Sequence, residues 1–128
     1  MMQPSEVVAA KLLPAIRARL AQILLRDYHM KQVEVADHLG ITQAAVSHYY
    51  TRSRAVDEEL LVMFPEIEDG VKELAVRISK GLPQPEQIAV IEAMCRDITR
   101  TERFCAYHRR YSRLDSQCQI CFPPPEKA

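Results

Sequence analysis

The sequence has no tryptophan, three glycines and three phenylalanines among 128 residues. A Gly-rich loop of the kind that cradles phosphates has no raw material here. No apolar run approaches the ~20 residues that a helical membrane span needs, and residues 1–13 lack the apolar stretch of a secretory signal. The chain is therefore expected to be soluble and cytoplasmic, with no membrane partner. Net charge is absent too: 17 Lys and Arg balance 17 Asp and Glu. A neutral total argues against nucleic acid only when the charge is evenly spread, and it is not. Residues 1–56 carry seven basic against four acidic side chains, residues 57–98 four against ten, and residues 99–128 six against three. Phosphate attraction is a local surface property, so both ends remain candidates for an anionic partner and the acidic middle is expected to face away from it.

Enzyme signatures are missing as well. There is no Ser/His/Asp order and no pair of acids patterned to line a pocket. Cys118-x2-Cys121 runs into Phe122-Pro123-Pro124-Pro125, whereas a reactive thiol pair belongs at a helix start. No enzymatic activity is expected.

What is present is helix. Hydrophobic residues make up 48%, enough for a packed core. The pattern predicts an all-α chain to about Arg100. Ser5 is read as the cap of a short first helix to Leu12. Pro14 then lies in the first turn of a helix carrying Ile16, Leu20, Ile23 and Leu24 and ending near Asp27. Gln32–Leu39 and a helix capped by Thr42 and ending near Arg52 follow, then Glu58–Met63 capped by Asp57. Ile67, Val71, Leu74, Ala75 and Ile78 mark an amphipathic helix up to Gly81, and Ile88, Ile91, Met94, Cys95 and Ile98 another from Pro85 to Thr101. Beyond it the aliphatic pattern stops. The expected organisation is 1–64, an N-terminal helical domain; 65–101, a helical dimerisation or linking region; and 102–128, a cysteine-rich segment and tail.

Gln32 to Thr51 carries the sharpest signal. Ala36 is small where two helices must cross, and Gly40 can take the left-handed conformation that reverses the chain. Val35, Leu39, Ile41, Val46 and Tyr49 fall on the inward face of a two-helix unit. That pattern is a helix-turn-helix. It predicts that Gln43, Ala44, Ser47 and His48, with the cap residue Thr42, face the major groove of double-stranded DNA, Gln43 being suited to an adenine edge and Ala44 to a thymine methyl. Gln32, Arg52 and Arg54 are the expected phosphate contacts, and Tyr50 is expected to be exposed. One such module covers little DNA, so a homodimer on an inverted repeat is expected.

The string "QVEVADHLGITQAAVSHYY" resembles the lambda-repressor-like, or xenobiotic-response-element, helix-turn-helix family, the resemblance covering residues 15–64. It implies a bundle of about five helices and a sequence-specific transcriptional regulator. The remaining feature is the run Cys95-x9-Cys105-x12-Cys118-x2-Cys121. In a reducing compartment these thiols favour metal binding or redox chemistry over disulfides. Four thiolates suit an iron–sulfur cluster, 4Fe–4S or 2Fe–2S. The alternative is zinc, with His108 in the Cys105-x2-His108 spacing as a possible ligand and Cys95 as a plain core cysteine. With "LLPAIRARLAQIL" and "GITQAAVSHYY", the cysteine layout is similar to a group of archaeal regulators with a repressor-type helix-turn-helix and a C-terminal cysteine cluster. That resemblance implies a cluster-responsive dimeric repressor. The competing expectation is a helix-turn-helix interaction protein with a structural zinc site. Arg109, Arg110 and Arg113 would complement an anionic cluster, reach flanking DNA or form a solvated basic face.

Overall fold

The computed structural model describes the backbone of residues 2–112, and side chains for residues 2–51 and 58–110. All regular structure among these residues is helical: α1 Pro4–Val7, a π-helical turn Val8–Leu12, α2 Leu13–Arg26, α3 Gln32–Leu39, α4 Gln43–Met63, α5 Glu66–Ser79, α6 Gln84–Thr99 and α7 Glu102–Ser112.

Three features depart from the expected segmentation, each for a local reason. The first two helices are continuous. Pro14 has no N–H to donate, and its ring crowds the carbonyl four residues back. The chain widens by one π turn just before it, with the Leu13 N–H bonded to Val8 O, and passes through unbroken. The N-cap of α1 is Gln3, not Ser5, and the Gln3 N–H donates to Glu6 Oε1 at 3.0 Å. The helix expected to end near Arg52 runs on to Met63. Between Gln43 and Phe64 there is neither glycine nor proline, so nothing in the backbone stops it before Pro65.

The third departure is α7, where the aliphatic pattern had run out. Its buried face is Phe104, Cys105, Tyr107 and His108, spaced i, i+1, i+3 and i+4. The period is helical, but the residue types hide it from a count of aliphatics. Phe64 shows what this face is for. It lies at the α4–α5 corner with no exposed surface, and its ring meets Phe104 at 6.5 Å and Tyr107 at 6.3 Å, the latter edge to face. Arg103 closes the corner from outside. It donates to the Met63 carbonyl at 3.0 Å, forks onto both carboxylate oxygens of Glu66, and lies 5.4 Å from the centre of the Phe64 ring.

Helix α2 forms the middle of the molecule. Ala15, Ile16, Ala18, Leu20, Ala21, Ile23 and Leu24 are all buried, and its small side chains let neighbours approach closely. Helix α5 presents Ile67, Val71, Leu74, Ala75 and Ile78 to the same core, the five positions expected from its spacing. Arg19 on α2 forks onto Glu68 on α5, with contacts of 2.7 and 2.6 Å. This hydrogen-bonded pairing holds the Glu68 carboxyl below the usual range. One hydrophobic core thus runs from Val7 to Tyr107.

Truncating the aromatic corner should be costly. Phe64→Ala is expected to destabilise the protein by about 3–5 kcal/mol, read as a lower urea midpoint with an unchanged slope.

Candidate nucleic-acid interface

The turn between α3 and α4 is built from three residues. Gly40 takes φ 65° and ψ 34°, the left-handed region, and ends α3. Ile41 N–H then reaches back to Ala36 O at 3.0 Å, closing the helix end. Thr42 returns to extended backbone, and its hydroxyl accepts the Ala45 N–H at 3.0 Å, capping α4 as expected. Val35, Ala36 and Val46 are buried in the core, Leu39 and Ile41 are half-buried against it, and Tyr49 is half-buried.

That geometry leaves the start of α4 uncovered. Gln43, Ala44 and His48 are exposed and Ser47 is half-buried. Gln32, at the start of α3, is half-buried. Tyr50 is 41% exposed. With 3.6 residues per turn, Gln43, Ser47 and Tyr50 fall on one side of α4. Arg52 and Arg54 lie within α4, but their side chains are outside the described residues. Farther along, Thr51 returns its hydroxyl proton to the carbonyls of Ser47 and His48, so it is satisfied within the helix.

The turn is also held from a direction that sequence reasoning missed. Gln84, the first residue of α6, donates from Nε2 to Asp37 O at 3.2 Å. Its side chain lies where a Cβ on Gly40 would stand, 2.7 Å from that position. Nothing in the Leu82-Pro83-Gln84-Pro85 hinge marks Gln84 for this role, because the contact spans distant parts of the chain. Beside it, Leu13, Leu39, Ile41, Ile88 and Ile91 line a shallow groove with Arg17 and Glu92 at its edge. Arg26 was likewise unmarked; it stacks over the Tyr50 ring.

The two described cysteines sit on neighbouring helices. Cys95 on α6 and Cys105 on α7 are both buried free thiols. Burial, reinforced by Glu92, pushes the Cys95 thiol up to about 11. Arg109 Nη1 is 3.8 Å from Cys105 Sγ. His108 is buried too, and its Nε2 is 2.7 Å from Met2 O, where it donates to that carbonyl and ties α7 to the N-terminus. Arg110 pairs with Glu59 on α4. Cys118, Cys121 and Arg113 lie outside the described residues. Among the described residues no three His, Cys, Asp or Glu side chains are grouped to hold a metal ion. Cys95 and Cys105 are two sulfur donors on adjoining helices, and the Arg109 guanidinium stands beside the second.

Comparison of the chain with protein-family models, with curated proteins and with solved structures returned no match.

The raised Cys95 thiol has a consequence for stability. The folded state holds the proton that the unfolded chain releases near 9, so stability should fall as pH rises from about 9 to about 11. Denaturant unfolding of wild type and Cys95→Ala across that window is expected to show the extra alkaline loss in wild type only.

Proposed function

We propose that the protein is a sequence-specific DNA-binding transcriptional regulator of lambda-repressor-like architecture that lays the start of α4 in the major groove. The observation that carries this reading is the uncovered N-terminal turn of α4, where Gln43, Ala44 and His48 are exposed directly after a capped, glycine-stopped turn. A helix end of this kind offers short side chains to base edges. Gln43 reads an adenine through its amide, Ala44 touches a thymine methyl, and Ser47 and His48 donate or accept. Gln32, Arg52 and Arg54 contact the flanking phosphates.

A second copy supplies the second half-site, giving a homodimer on an inverted repeat. Ile88 on α6, 61% exposed, and Val76 on α5, 40% exposed, offer apolar surface for that contact. The sensing element is an iron–sulfur cluster on Cys95, Cys105, Cys118 and Cys121, with zinc as the alternative metal. A bound metal would supply folding energy to the C-terminal segment. The path to DNA is short, because Cys95 and Gln84 share α6 and Gln84 hydrogen-bonds the α3 carbonyl beside the recognition turn.

Selection from random duplexes tests the main reading. An enriched inverted repeat is expected, and Gln43→Ala should cost about 1–3 kcal/mol at one base pair per half-site. No enriched motif would overturn the regulator and leave an interaction protein. Metal content tests the sensing element. Iron with sulfide in anaerobically purified protein is expected; zinc alone would make the site structural, and no metal would remove it.

A further inference from the structure

Two turns beyond Gln43, on the same side of α4, a cation is already set in place. Arg26, the last residue of α2, has its guanidinium carbon 5.1 Å from the centre of the Tyr50 ring. Both side chains are exposed. Arg26 makes no ion pair among the described residues.

A guanidinium drawn over an aromatic face by the ring's quadrupole makes that contact without using its N–H donors. They remain for the fork that matches two phosphate oxygens. The ring also restricts the long side chain before any ligand arrives, which lowers the ordering cost of binding. Position decides what the fork meets. Tyr50 lies about 10 Å along the helix axis from Gln43, beyond the N-terminal residues that meet base edges. With Gln43 against base edges, the Arg26–Tyr50 pair stands at the groove rim, where the phosphates are.

We propose that Arg26, held over the Tyr50 ring, is a preset clamp for a DNA backbone phosphate, with Tyr50 as its positioning residue. The inference rests on the regulator reading and adds a contact from α2, outside the helix-turn-helix.

The test uses the full chain, a duplex carrying the selected site and a random duplex, with affinity followed by fluorescence anisotropy across a salt series. Arg26→Ala is expected to bind both duplexes about tenfold more weakly at low salt. The slope of log affinity against log salt should be shallower by about one, with base preference unchanged. Tyr50→Leu should reproduce part of that loss, and Tyr50→Phe, which keeps the ring, should restore it. Arg26→Lys should recover the slope but not the full affinity, since it keeps the charge and loses the fork. A cation serving only the α2 C-terminus would lower the melting temperature and leave the slope untouched. Wild-type affinity and slope in Arg26→Ala, with base-specific binding by wild type intact, would overturn the clamp alone. Failure of wild type to bind either duplex would overturn the regulator reading with it.

Discussion

A methyl group at position 40 would be strained by a left-handed backbone and would displace the amide end of Gln84. Glycine at this position stops α3, and the chain reverses within Gly40, Ile41 and Thr42 before α4 begins. The exposed start of α4, the burial of Val46 behind it and the register that brings Tyr50 under Arg26 all follow from that reversal. The cap at Thr42 then spends a side-chain oxygen on an N–H that would otherwise be unsatisfied, so the first turn of α4 is ordered without cover from another element.

The rest of the molecule makes this exposed turn rigid. Helix α2 packs against α4 on one side and α5 on the other, and the Arg19–Glu68 fork fixes the second contact. Helix α7 holds the α4–α5 corner through Phe104, Tyr107 and Arg103, and reaches the N-terminus through His108. Cys95 and Cys105 thus lie on helices that meet the α3 end of the turn, through Gln84, and the α4–α5 corner, through Phe104 and Tyr107.

Legibility in the sequence followed residue type. Five aliphatic residues at helical spacing gave α5 in full, and Gly40 with Thr42 gave the turn to the residue. Helix α7 was hidden because its buried face is two aromatics, a cysteine and a histidine, which a reader of aliphatic periodicity assigns to surface or metal. The length of α4 was hidden by Asp57, read as the cap of a separate helix Glu58–Met63, a break that the backbone has no reason to make. Gln84 and Arg26 carry no local signal at all. Each acts on a residue more than twenty positions away, and only the packing of α6 and α2 brings them there.

Amide chemical shifts of the labelled full chain, recorded while the selected duplex is added, test the central claim most directly. The account predicts the largest changes at Gln43, Ala44, Ser47 and His48, with Arg26 and Tyr50 following and α5 unmoved. Changes confined to α5–α7, or none at saturating duplex, would contradict it.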